Sequence, residues 1–124
     1  SIELWSNALG ANPERDTILG FEGDVLVGFF RIGPDKNDPT RGHLFSLYVD
    51  PELAGRGFGA KLLQCALASM RAKGFIEMTL WVFEENNAAR SLYEKFGFSP
   101  TGENKITPEW NTPEIEMLNS DITL

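Results

Sequence analysis

Two short stretches carry residue types suited to chemistry. The first is Gly55-Arg56-Gly57-Phe58-Gly59-Ala60, which opens a segment of helical periodicity. Glycines let a backbone come close to a ligand. A helix start offers unpaired N–H groups and a partial positive charge. Such a turn cradles phosphate, and Arg56 adds a planar cationic donor. Three readings compete for it. A Walker loop needs Gly-Lys-Ser/Thr, and Gly59-Ala60-Lys61-Leu62 does not supply it. A dinucleotide fingerprint is matched literally by Gly55, Gly57 and Ala60, but it should follow its strand at once, and Asp50 to Ala54 intervene. The third is a plain glycine-rich connection.

The second stretch runs from Asn86 to Phe98 and sets Asn86, Ala89, Tyr93, Gly97 and Phe98 at fixed offsets. By position Tyr93 reads first as a packing aromatic on an apolar helix face with Ala89, Leu92 and Phe96. Glu84 and Glu85 precede Asn86 at a strand end, as candidate bases or as solvated charge beside a loop. His43, the one histidine, opens a strand and has the intrinsic pKa of a base, though a lone histidine there also reads as structural. Cys65, between core positions of a helix, reads as inert packing.

These residues need elements to hold them. Apolar positions 2, 4, 5, 8 and 9 predict a short amphipathic helix over Ser1–Leu9. Thr17–Phe21 and Val25–Ile32 read as a hairpin around Glu22-Gly23-Asp24. Gly33 to Gly42, rich in Pro, Asp and Gly, reads as a loop. Leu44–Val49 is a third strand. Apolar positions 58, 62, 63, 66, 67 and 70 predict a helix over 57–73 with Gly74 as its cap. Phe75–Phe83 reads as a long strand, 86–96 as a second helix, and Ile115–Leu118 as a last strand. The order predicts an α/β (α+β) single domain over 1–124, a mixed sheet with helices against it.

Composition limits the partners. The 124 residues are 42% hydrophobic and 23% charged, inside the globular range. The net charge is −7, which disfavours nucleic acid and anionic membrane as partners. One cysteine and one histidine leave no internal disulfide and argue against a bound metal. With no long apolar run and no charged-then-apolar N-terminal order, the expectation is a soluble cytoplasmic protein. The charge is uneven: residues 41–73 sum to +3 and the rest to −10. The positive island points to a discrete anion. The acidic remainder favours a cationic binding partner, or else serves solubility.

Taken together, the two stretches resemble the GNAT superfamily of acetyl-CoA-dependent N-acetyltransferases. Tyr48-Val49-Asp50-Pro51-Glu52 followed by Gly55-Arg56-Gly57-Phe58-Gly59 is similar to its pyrophosphate motif. Leu80-Trp81-Val82 through Phe98 is similar to its next motif, and the Gly23-Asp24…Val27-Gly28 hairpin also fits. The resemblance runs from about Trp5 to Leu118. It implies a GNAT-like, mostly antiparallel twisted sheet with helices on both faces. It implies that strands 44–49 and 75–83 splay apart and that acetyl-CoA lies in the gap. Pantetheine would bond to the backbone of Leu47 to Val49, including Tyr48. Pyrophosphate would lie on Gly55, Arg56, Gly57, Phe58, Gly59 and Ala60, and Asn86 and Ala89 would flank the arm. Tyr93 would protonate the leaving thiolate. The family's usual Arg or Gln is Ala54 here, and a Glu that some members carry is Trp81, which leaves Glu84 and His43 as base candidates.

The resemblance also implies that Ser1–Leu9 is the second helix of a fold lacking its first strand and helix. That leaves the edge of Thr17–Phe21 unpaired and predicts a homodimer through it. The function implied is acetyl transfer to a primary amine of a small molecule or peptide in a ternary complex. The alternative is a coenzyme A-binding or interaction module of the same fold, catalytically weak or inactive.

Overall fold

The computed structural model describes residues 2–6 and 15–123. Seven strands form one sheet: β1 (Glu3–Ser6), β2 (Asp16–Glu22), β3 (Val25–Pro34), β4 (Gly42–Val49), β5 (Met78–Phe83), β6 (Ser99–Ile106) and β7 (Pro113–Asn119). The spatial order is β1-β2-β3-β4-β5-β7-β6. Every neighbouring pair is antiparallel except β4 and β5. Two helices, α1 (Phe58–Ala72) and α2 (Asn87–Lys95), follow β4 and β5. This is the mixed, mostly antiparallel sheet that the motifs imply.

Period-2 alternation sorts the strand residues onto two faces. Ile18, Phe30, Ile32, Leu44, Met78, Leu80, Val82 and Met117 join one apolar cluster with Leu62, Leu63, Ala66, Leu67 and Met70 of α1 and Tyr93 of α2. Both helices therefore pack on the same face. Of the expected helices on both faces, those among the described residues occupy one; residues 7–14 lie outside the description. α1 sits close because glycines lie beneath it. Gly20 and Gly28 are cross-strand partners under Leu62, and a Cβ at Gly28 would lie 2.0 Å from the Tyr48 carbonyl oxygen. The buried set of α1 is Phe58, Leu62, Leu63, Ala66, Leu67 and Met70, the stripe read from the sequence. Its C-terminus is closed by Gly74 at φ 92°, with the Phe75 N–H donating to the Met70 carbonyl at 3.1 Å.

Several expectations are corrected. Glu3–Ser6 is a strand, not a helix, and the remainder of the predicted Ser1–Leu9 helix lies outside the described residues apart from Ile2. Apolar residues at 2 and 4 fit period 2 as well as a helical turn, and pairing with β2 settles the choice: Leu4 opposes Gly20 and Ser6 opposes Ile18. The edge of β2 is thus covered by the same chain, which removes the premise of dimerisation through 17–21. The strand expected over Phe75–Phe83 begins at Met78, because Phe75 still caps α1. β6 is an element that the sequence did not signal. All eight of its residues are exposed, so it carries no apolar alternation, and its pairing to β7 is irregular between Pro100 and Asn104. β7 therefore lies beside β5, and the second strand–helix–strand unit is not a parallel crossover.

Candidate active site

The parallel ladder between β4 and β5 is short. Gly42, His43 and Leu44 pair with Met78, Thr79 and Leu80, and the ladder then stops. From Phe45 and Trp81 outward the two strands have no register with each other, so β4 and β5 fork. The backbone groups of residues 45–49 that face β5 lack a strand partner. Leu47 and Val49 turn their side chains to the apolar cluster, while Tyr48 stacks on Phe29 at 5.3 Å on the opposite face.

The wide end of the fork meets the glycine-rich turn. Asp50 caps a short 3₁₀ turn over Pro51–Leu53, its carboxylate accepting from the Glu52 N–H at 3.0 Å. Gly55 and Gly57 both adopt φ 81°. That left-handed conformation suits glycine, and among the described residues no atom beyond the adjacent ones lies within 4 Å of a Cβ built on either. Gly57 is the N-cap of α1 and brings no side-chain bond. The first helical acceptor bond is Lys61 N–H to the Gly57 carbonyl at 3.2 Å. The N–H groups of Phe58, Gly59 and Ala60 find no acceptor among the described residues, as at any uncapped helix start. Arg56 stands exposed beside them. These features make an anion cradle: open space, free donors, a helix dipole and a guanidinium.

On the other limb of the fork, Asn86 caps α2. Its Oδ1 accepts from the Ala89 N–H at 3.1 Å, which leaves its amide NH₂ free to donate. Ala89 packs against the cluster. Gly97 ends α2 at φ 97°. Tyr93 belongs to the core: it is 9% exposed and lies edge-on to Phe98 at 6.0 Å. Burial pushes its phenol up to about 12, so at neutral pH the group is protonated and able to donate. Glu84 lies exposed at the outer end of β5. Its N–H donates to the Pro113 carbonyl and its carbonyl accepts from Arg90. It stands five residues along the strand from Thr79, about 16 Å at strand rise, and so at the wide end with Asn86.

His43 sits at the crotch of the fork. The ring is 7% exposed and turns to the face away from the helices. Its Nδ1 lies 2.7 Å from Thr79 Oγ1, and that hydroxyl lies 3.0 Å from Asp35 Oδ2. Asp35 also accepts from Arg41 Nε at 2.8 Å and from the Asn37 N–H at 3.0 Å. Burial pushes this carboxyl up, but the bonds from Asn37, Arg41 and Thr79 together outweigh it and hold it below the ordinary value. Asp35 is therefore an ionised acceptor, and the Thr79 proton points to it. Thr79 Oγ1 must then accept from His43, so Nδ1 carries the proton and Nε2 is the free acceptor. Desolvation is the main cause that lowers the His43 pKa to about 4, with Lys105, Arg15 and Arg41 adding to it against Asp35.

Sequence reasoning had singled out His43 without Asp35, Arg41 or Thr79. One signal was present: Thr79 is the only polar residue in the run Met78–Phe83. Cys65 is half-buried against the cluster, and burial pushes its thiol up. Among the described residues no three His, Cys, Asp or Glu gather as a metal site, and no helix is long and apolar enough to cross a membrane.

A forked parallel pair whose wide end meets a glycine-rich helix start is the architecture of one class of acyl-group transferases. The Acetyltransferase (GNAT) family matches residues 2–98, and the chain belongs to it. The family is one of acetyltransferases. It is 44% identical over 79 residues to a mycothiol acetyltransferase of Beutenbergia cavernae, covering 64% of this chain and 26% of the relative. It resembles the PaiA N-acetyltransferase of Thermoplasma acidophilum in complex with coenzyme A, with 25% identity, a TM-score of 0.67, and 86% and 61% of the two chains covered. A Bacillus subtilis acetyltransferase in complex with CoA shares the fold at a TM-score of 0.80 and 14% identity, over 97% of this chain and 99% of the other. The chain spans about a quarter to a third of the length of the curated relatives it matches.

Proposed function

We propose that the chain moves an acetyl group from acetyl-CoA to a primary amine of a small molecule or peptide, by direct attack within a ternary complex. The observation that carries this reading is the fork. One occupant reaches from a phosphate cradle at residues 55–60, along unpaired β4 backbone, to a polar crotch at His43. The pyrophosphate takes the amides of Phe58, Gly59 and Ala60 with Arg56, and Gly55 and Gly57 leave room for it. The pantetheine bonds the backbone of Leu47 to Val49, beside Tyr48, and the Asn86 amide. The helix-facing side of the fork is filled by the apolar cluster, so the amine enters from the other face.

Each proton has a station. The neutral amine attacks the thioester carbonyl carbon, the N–C bond forms, and the C–S bond breaks. The free Nε2 of His43 takes the proton lost by the amine nitrogen, and the Tyr93 hydroxyl gives one to the departing thiolate. A free backbone N–H of β4 steadies the oxyanion, a donor typically worth 10²–10³ in rate. His43 is favoured over Glu84 as base, because Glu84 sits at the wide end of the fork with the cradle.

Calorimetry with acetyl-CoA, followed by thiol release over an amine panel, tests the proposal. Saturable binding and amine-dependent release are expected. Binding without release from any amine would support the module that keeps the fold and lacks catalysis, and no binding would end both readings.

A further inference from the structure

A cleft of about 350 Å³ opens at the crotch of the fork, on the face away from the helices. Its walls are the first residue of each limb past the ladder, Phe45 on β4 and Trp81 on β5, with His43 between them. The register of β3 and β4 shifts between Arg31 and Ile32, which makes Phe45 the extra residue of a bulge. A bulge re-aims a side chain, and here Phe45 lies 4.6 Å from the His43 ring.

Each wall carries a cation. The Arg15 guanidinium lies 4.3 Å over the Phe45 ring, and the Lys105 ammonium lies 4.3 Å over the Trp81 ring. Lys36 stands on the same rim. The acids nearby are already engaged. Asp35 accepts from Arg41, Thr79 and Asn37. Glu116 accepts from Thr101 and faces Arg41 at 4.0 Å. Glu114, the cross-strand neighbour of Lys105, accepts from Thr107. Among the described residues no carboxylate lies within ion-pair distance of Arg15, Lys36 or Lys105. The Arg15 Nε is buried and has no hydrogen-bond acceptor there. A buried donor without an acceptor is costly, and an anion seated in the cleft would supply one.

We infer that the acceptor amine belongs to a molecule that also carries a carboxylate, which docks between Arg15 and Lys105 over the Phe45 and Trp81 rings. This rests on the acetyl-transfer reading and names its substrate class. It reverses the expectation drawn from net charge: the chain is acidic, but the mouth of its cleft is cationic. The same cations disfavour an ammonium beside His43 and so keep the incoming amine in its neutral, nucleophilic form.

Three matched probes test the inference by calorimetry, with and without saturating coenzyme A: 3-phenylpropanoate, 3-phenylpropanamide and 2-phenylethylamine. The carboxylate is expected to bind at least about tenfold tighter than the amide, and the ammonium most weakly. Arg15→Gln with Lys105→Gln should abolish the preference. Equal or tighter binding of the amide or the ammonium would overturn the inference. So would no detectable binding of the carboxylate, or a preference that survives both substitutions. The coenzyme A titration in the same samples separates the two readings: its failure counts against acetyl transfer, while the probe ranking still judges the anion site.

Discussion

The two faces of the sheet come from the same strands and do opposite work. On the helix side, Phe30, Ile32, Leu80 and Met117 meet Leu62, Leu63 and Met70 in a closed apolar layer. On the other side the residues around the fork are Phe29, Tyr48, Phe45, His43, Thr79, Trp81 and Glu116, flanked by Leu19 and Leu118. Those around the fork are aromatic or polar, and His43, Thr79 and Glu116 are buried there through hydrogen bonds rather than apolar contact. Alternation thus lets one β4–β5 pair serve as core on one side and, on the proposed reading, as reaction floor on the other. Adjacent positions such as His43 and Leu44 answer to different demands.

Four measurements sharpen or break this contrast. Leu62→Ala removes the side chain wedged over Gly20 and Gly28, and it should destabilise the fold by about 4 kcal/mol in urea unfolding. A loss below about 1 kcal/mol would mean that the helix-side layer is not the stabilising one.

Acid should act through the opposite face. His43 is held neutral in the fold with its pKa near 4, against an ordinary 6.5. Between those values the unfolded chain binds more protons, so stability falls as pH drops from about 6.5 to 4. The span is about 3 kcal/mol at most. Unfolding curves for wild type and His43→Gln across that window check it. Parallel pH dependence in the two proteins would assign the loss to other groups.

Gly57→Asp puts a side chain at φ 81° and a negative charge in the cradle. Acetyl-CoA affinity should drop about 100-fold, equivalent to ~2.8 kcal/mol. Unchanged affinity by calorimetry would remove the cradle from the site. Tyr93→Phe keeps the packing against Phe98 and deletes the hydroxyl. Turnover should fall about 30-fold, or ~2 kcal/mol, at unchanged acetyl-CoA affinity. A loss of stability with no selective loss of turnover would return Tyr93 wholly to the core.

What was legible in the chain follows from local rules. The stripe of α1, the hairpin at Gly23, the Gly74 and Gly97 stops and both motifs depend on residues close in sequence. The elements missed depend on partners far away. Glu3–Ser6 becomes a strand because β2 offers an edge. Ser99–Ile106 becomes one because β7 does, although its own residues bury nothing. At the site, His43 was visible as a residue type, but its tautomer depends on Thr79 and Asp35, which lie 36 positions after and eight before it. The cationic rim was hidden for the same reason. Arg15, Lys36 and Lys105 are spread over 90 positions and meet only when the sheet closes, so net charge pointed the other way.

Viewed as a mechanical assembly, the sheet is two plates, β1 to β4 and β5 to β7, riveted edge to edge at three residue pairs. Beyond the rivets the seam lies open. A long, thin molecule lodged there takes up hydrogen bonds that a complete ladder would have made, and it becomes a strut between the plates. Its binding energy then adds to the cohesion of the whole sheet. At a free concentration 100 times its Kd, that strut is worth about 2.7 kcal/mol against unfolding. On the proposed reading the acyl donor would be a temporary structural member of the protein that consumes it, and each release of free coenzyme A would loosen the seam for the next turnover.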